Sequence, residues 1–303
     1  MGRNFYIPAV NRPFITEWTV SGDATARTIT LPLINTRTEG ALVYNFTVDW
    51  GDGTARGDVN AYNSAARVHT YASNGTYQVT ITGVCEGWSF NNVGDKLKIT
   101  KVISWGGGTR YRGYRYLFGG FYGCSNLTSI PLGGIPASGT GCLSQGFSYI
   151  FYGCSKLTAI PHDIFRHHTS VTGGFQYAFA SCTAWTGEIP GDLFAYNTAV
   201  NFDGAFQSTF SSCSGLTSIG SGLFTNNTLV TTKAFYQTFN NCSKITNIPS
   251  DLFDTNTLVS TEAFYGTFSS CSLIAGAIPS GLFDNNTAVT TKGFMKTFEN
   301  CSK

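Results

Sequence analysis

Charge is scarce in this chain. Of 303 residues only 12% are Asp, Glu, Lys or Arg, and 19 basic against 17 acidic side chains leave a formal charge of +2. Nucleic-acid binding is dominated by lysine and arginine contacts to phosphate, so the composition gives no general electrostatic case for it. Long apolar runs are also missing: no stretch approaches the roughly 20 apolar residues needed to cross a bilayer. The N-terminal stretch MGRNFYIPAVNRPFITEW has neither a continuous apolar h-region nor a small-residue cleavage site, so it does not read as a secretory signal. A mature fragment, a virion protein released by lysis and unconventional export remain as expectations. Met1-Gly2 starts like a myristoylation site, but Tyr6 stands where Ser or Thr is required.

Signatures of catalysis are equally absent. The chain has no GxSxG elbow, HExxH pair, P-loop or dinucleotide fingerprint, and no CxxC pair for a metal. His162, His167 and His168 with Asp163 form the one dense histidine cluster, inside a single unit whose siblings lack it, which reads as a locally varied loop. A paired-carboxylate glycosidase site is disfavoured on a repeating scaffold. The expectation is a protein that is not an enzyme and uses no cofactor or metal.

What is present is a ladder of phenylalanine and cysteine. Seven of the nine cysteines (Cys124, Cys154, Cys182, Cys213, Cys242, Cys271, Cys301) occupy one position in a unit of about 30 residues. The clearest copies read CSGLTSIGSGLFTNNTLVTTKAFYQTF from Cys213 and CSKITNIPSDLFDTNTLVSTEAFYGTF from Cys242. Each unit carries only a strip of apolar residues, so a core exists only when neighbours stack. Leu-Thr-x-Ile-Pro, as at 157–161, alternates apolar and polar residues and predicts a short strand. A polar residue then precedes Leu-Phe, with Asp163, Asp192 and Asp251 sharing a slot that reads as a helix N-cap. Asn-Thr recurs at Asn197, Asn227, Asn256 and Asn286 as a turn, and the sequons it overlaps follow the same structural period. Phe-x3-Phe-x2-Cys, as at Phe264, Phe268 and Cys271, places three apolar groups on one helix face. The periodic thiols, and Cys142 at a position held elsewhere by valine, read as small buried core residues rather than disulfides.

These motifs resemble the BspA-like leucine-rich surface-protein repeats of bacteria over roughly residues 117–303. The resemblance implies a curved solenoid displayed outside the cell for attachment, and related repeats are also familiar in phage fibre proteins. The unit from Cys124 to Gly153 departs from the pattern with PLGGIPASGTGCL. Before the ladder, segments 27–33, 43–50, 76–82 and 96–104 alternate as strands. Val48-Asp49-Trp50-Gly51-Asp52-Gly53-Thr54, with His69-Thr70-Tyr71-Ala72 and Gly75-Thr76-Tyr77, resembles the PKD-type immunoglobulin-like sandwich. Such modules act as spacers or interaction domains. Asp49 and Asp52 read as a hairpin turn rather than a calcium loop, and Trp50 and Trp88 as core. The Arg and Tyr interleave at 106–120 can stack on bases or sugars, but reads as a junction covering the first rung.

The expected fold class is therefore a PKD/Ig-like β-sandwich followed by an α/β leucine-rich-repeat-like solenoid. Its parts are an N-terminal extension (1–13), the sandwich (14–105), the junction and cap (106–120) and the repeats (121–303). The expected function is extracellular recognition of a host or cell-surface protein or glycan. Candidate contacts lie on the strand ladder at Thr128, Ser129, Thr158, Ala159, Thr217, Ser218, Thr246, Asn247 and Ala277, with Tyr236 and Tyr265 as stacking residues. The competing expectation is a structural subunit of an extracellular fibre or virion appendage. It rests on a last unit without a distinct cap at Cys301-Ser302-Lys303, open to end-to-end self-association, and on 4–13 as an inter-subunit strand.

Overall fold

A computed structural model describes residues 12–35, 40–108, 111–137, 146–274 and 278–301. Cys142, Ala277, residues 4–11 and Ser302-Lys303 lie outside them.

The N-terminal part is built on a strand that periodicity did not single out. Strand β1 (Arg12–Val20) sends Phe14, Thr16, Trp18 and Val20 inward in strict alternation. The indole of Trp18 donates to Thr16 Oγ1 at 2.7 Å, so neither buried polar group is left unpaired. β1 lies antiparallel between β6 (Gly75–Cys85) and β7 (Ile99–Gly107). β3 (Tyr44–Asp49) and β4 (Gly57–Val59) complete the order β4-β3-β6-β1-β7, β8 (Tyr111–Arg112) pairs in parallel with β6 off that path, and a two-stranded ribbon of β2 (Thr28–Thr30) and β5 (Val68–Thr70) accompanies the sheet. Arg12 and Pro13 belong to this sheet, since Arg12 pairs with Gly107.

The acidic glycine turn is tied off by its own side chains. Asp49 Oδ1 accepts from Gly51 N at 3.0 Å, and Asp52 Oδ1 accepts from Thr54 N and Oγ1. Asp52 Oδ2 is 2.7 Å from His69 Nε2, and the His69 ring stacks on Trp50. Tyr71 closes the knot by donating its hydroxyl to Trp50 O at 2.9 Å. Burial alone pushes the Asp52 carboxyl up, but hydrogen bonds from Thr54 and His69 hold it below its ordinary value.

The repeats overturn the expected fold class. Among the described residues there is no α-helix, and the one helical element is a three-residue 3-10 turn at Ala65–Arg67. Among the described residues of the repeats, strand is confined to β9 (Gly187–Ile189) and β10 (Leu216–Ile219), paired in parallel. An α/β leucine-rich-repeat-like solenoid is thus not what this chain forms, although the strand-rich N-terminal part is in keeping with a sandwich.

Backbone donors explain why the Phe-x3-Phe-x2-Cys leg is not helical. Within 233–242, Tyr236, Thr238, Asn240 and Cys242 donate locally to the carbonyl three residues back. The alternate residues Lys233, Phe235, Gln237, Phe239 and Asn241 donate instead to Thr261, Ala263, Tyr265, Thr267 and Ser269 of the next coil, at 2.8–2.9 Å. An α-helix would spend these amides on i−4 carbonyls and leave nothing to join coils. The leg is a run of turns in which every fourth residue is left-handed: Lys233, Gln237 and Asn241 at φ of 55, 52 and 59°. Each non-glycine residue there costs about 1 kcal/mol. Four-residue turns and a 3.6-residue helix both place Phe235 and Phe239 on one face, so apolar spacing alone does not tell them apart.

Side chains then claim carbonyls of the preceding coil. Thr238 and Thr267 hydroxyls donate to Phe206 O and Phe235 O at 2.8 Å, and the Cys242 and Cys271 thiols reach Phe210 O and Phe239 O at 3.0 Å. Each buried asparagine amide bridges two carbonyls, as Asn256 Nδ2 does to Phe224 O at 3.2 Å and Asn227 O at 3.0 Å. Phenylalanines stack face to face along the axis, with Phe210–Phe239 and Phe239–Phe268 centroids 5.5 and 5.4 Å apart. The aspartates of the shared slot also reach back one coil, Asp163 to Gly133 N, Asp192 to His162 and Asp251 to Ser221. With no helix to cap, that is their role.

The sheet and the coils share an edge. Val102 N of β7 donates to Ser129 O at 3.1 Å, and Thr128 N of the first coil donates to Thr100 O at 2.9 Å. Trp88, Phe90, Asn91 and Asn92 donate to Tyr116, Gly120, Gly119 and Tyr122, joining this segment to the first coil as later coils are joined to one another. The apolar core is one continuous cluster from Phe14 to Leu282.

Two outcomes test this description. Far-UV circular dichroism should lack the paired minima of an α-helix. Asn256→Ala should lower unfolding free energy in urea by about 2 kcal/mol, from two lost hydrogen bonds of about 1 kcal/mol each.

Candidate functional site

Successive coils align their outward polar side chains. Thr128 Oγ1 donates to Thr100 O at 3.0 Å and Thr246 Oγ1 to Thr217 O at 3.4 Å, so the threonines are fixed to the coil before them. Ser129 bridges to Lys101 of β7, and Ser218 pairs with Glu188. Ser129, Thr158, Ala159, Thr217, Thr246 and Asn247 are exposed, while Thr128 and Ser218 are half-buried. Neighbouring strands in such a ladder lie roughly 4.8 Å apart, which sets the step between equivalent side chains.

Two members of this row were not legible. Glu188 is exposed and its Oε2 lies 3.5 Å from Ser218 Oγ. Its unit reads Trp185-Thr186-Gly187-Glu188-Ile189-Pro190, one residue longer than Leu-Thr-x-Ile-Pro, which hid the equivalence. Lys101 belongs to the N-terminal sheet and joins the row only because β7 adjoins the first coil; its ammonium meets Glu17 at 3.1 Å. The signal for Glu188 was the recurring Ile-Pro that follows the variable position in all units but one, where Gly220 replaces the proline.

Other candidates are consumed by packing. Tyr236 and Tyr265 stack on each other at 4.8 Å and 4°, which covers ring faces that a sugar would use. In the 106–120 segment Tyr114 and Tyr116 are buried, and Arg115 is held by Glu86 at 3.5 Å. The three histidines do not converge: His162 faces Asp192, His167 faces Gly133 O and His168 faces Ile135 O. The thiols sit in the core, where burial pushes Cys213 and Cys271 up to about 12, so they stay protonated donors. Among the described residues no group of His, Cys, Asp and Glu is arranged to hold a metal ion.

His168 has a structural part. Its Nε2 is 3.1 Å from Ile135 O, the contact that the asparagine amides make in later coils, and Asn197 Nδ2 in turn donates to His168 O at 3.0 Å. It is the first member of the asparagine column. Burial holds its pKa down at about 4, against an ordinary 6.5. The unfolded chain therefore takes up a proton that the native state refuses, so this stability is complete above about pH 6.5 and lost as pH falls toward 4. The loss should be on the order of 3 kcal/mol. Denaturant titrations at pH 7.5 and 4.5 should show His168→Asn losing less stability on acidification than the parent chain.

No protein-family model and no curated protein matches this chain.

Proposed function

We propose that the chain is a non-enzymatic extracellular recognition protein that binds a surface protein or glycan through the exposed row of its coils. The observation that carries this reading is the alignment of variable hydroxyl, amide and charged groups, from Lys101 and Ser129 through Glu188 and Ser218 to Asn247, on a backbone already hydrogen-bonded from coil to coil. Side chains on such a backbone lose little conformational freedom on binding, so many weak contacts sum efficiently. The resemblance to BspA-like repeats and to the PKD-type module supports a place outside the cell, and no helix of the described residues is long and apolar enough to cross a membrane. Thr128, Ser129, Thr158, Ala159, Thr217, Ser218, Thr246 and Asn247 are the contacts this reading selects.

A second reading is a subunit of a fibre or virion appendage, for which Phe294 and Met295, 47% and 45% exposed, offer an apolar surface.

Binding of labelled protein to intact cells and glycan arrays tests the first reading. Saturable binding is expected, and the double variant Ser218→Arg, Asn247→Arg should weaken it at least tenfold while leaving the urea midpoint unchanged. Sedimentation that finds filaments, together with no binding on cells or arrays, favours the second reading and removes the first.

A further inference from the structure

The polar row ends at the sheet in a groove of about 510 Å³, between β1 and β7 on one side and the first two coils on the other. Its polar wall is Thr19, Ser21, Lys98, Thr100, Asn126, Thr128 and Lys156, and among the described residues no carboxylate lines it. The two lysines differ. Lys98 is neutralised by Asp95 at 2.6 Å, and that carboxylate is fixed in turn by Thr30 N. Among the described residues Lys156 has only a neutral partner: its ammonium donates to Asn126 Oδ1 at 2.8 Å. Asn126 is itself locked, since its Nδ2 donates to Leu97 O at 2.7 Å. One cation is thus positioned at the groove without an acid to balance it. The lining also holds the Thr19 hydroxyl, paired with Thr76 at 2.9 Å, the Thr100 hydroxyl, which donates to Glu17 Oε1 at 2.9 Å, and Thr128, which keeps acceptor capacity after donating to Thr100 O. Leu97, 54% exposed, adds an apolar surface on the same side.

We infer that this groove binds a carboxylate-bearing sugar residue of an acidic glycan, with the carboxylate on Lys156, ring hydroxyls on the threonines and the C–H face of the ring on Leu97. A single fixed cation among hydroxyls suits a monoanion with several alcohol groups. A nucleic acid would call for a basic stripe, which the wall lacks. Thr128 lines the groove and Ser129 of the row follows it in the chain, so the rest of the glycan chain would continue along the row. The inference rests on the recognition reading above and adds the ligand's charge and the place where it is held.

Isothermal titration with oligogalacturonate, oligosialate and neutral oligogalactose as probes tests it, using the full chain. At least one acidic probe should bind, its affinity falling with added salt, and the neutral probe should bind at least tenfold more weakly. Lys156→Gln should cost the acidic probe about tenfold, the size expected of one charge-assisted hydrogen bond. Lys244→Gln, at an exposed lysine outside the groove, should leave binding of the acidic probe unaffected. Circular dichroism and the urea midpoint confirm that Lys156→Gln is folded. Equal binding of acidic and neutral probes, or acidic binding indifferent to Lys156→Gln, overturns the groove proposal while the recognition reading stands. Absence of binding by all three probes overturns the groove proposal, and the recognition reading is then decided by the cell-binding assay.

Discussion

Everything in the repeats depends on how the backbone divides its donors. Alternate amides go forward to the next coil and the intervening ones close local turns. Because half of the donors of that leg leave the coil that owns them, no coil is complete alone, and stability is a property of neighbours. The left-handed residue at every fourth position is what this division costs, and stacked phenylalanine columns with the core beneath them offset it.

The backward-reaching side chains complete the same economy. Threonine, cysteine and asparagine occupy fixed columns because each supplies a short donor at the height of a carbonyl one coil away. Cysteine serves here as a small apolar residue with a weak donor, a task that valine cannot perform and serine performs with a larger desolvation cost. The asparagine column carries an imbalance: Oδ1 of Asn197, Asn227, Asn256 and Asn286 is buried without a partner, so the amide is retained for its two donors.

Much of this was legible in the residues. The period, the burial of the thiols and the inward phenylalanines follow from apolar positions that repeat, and the Asp-Trp-Gly-Asp-Gly turn announces its own hydrogen bonds. The helix was not legible correctly, because Phe-x3-Phe-x2-Cys satisfies a helix and a chain of four-residue turns alike. The clue was composition. Gly119, Gly123, Gly204 and Gly266, with Ser212, Asn241 and Asn300, recur where φ is positive, and Ser, Thr, Asn and Phe crowd a leg that a helix would fill with stronger formers. Strand β1 was missed because its alternation is broken by Pro13 at one end and charged by Glu17 in the middle. Of the candidate row, the regular units were legible, whereas Lys101 and Glu188 required knowing which backbone lies beside which.

The shared edge at β7 has a mechanical consequence. In a two-part protein joined by a linker, tension between a tether at one end and a ligand at the other straightens the linker first. Here β7 is hydrogen-bonded to β1 on one side and to the first coil on the other. A pull between the two parts is therefore carried by main-chain bonds loaded side by side.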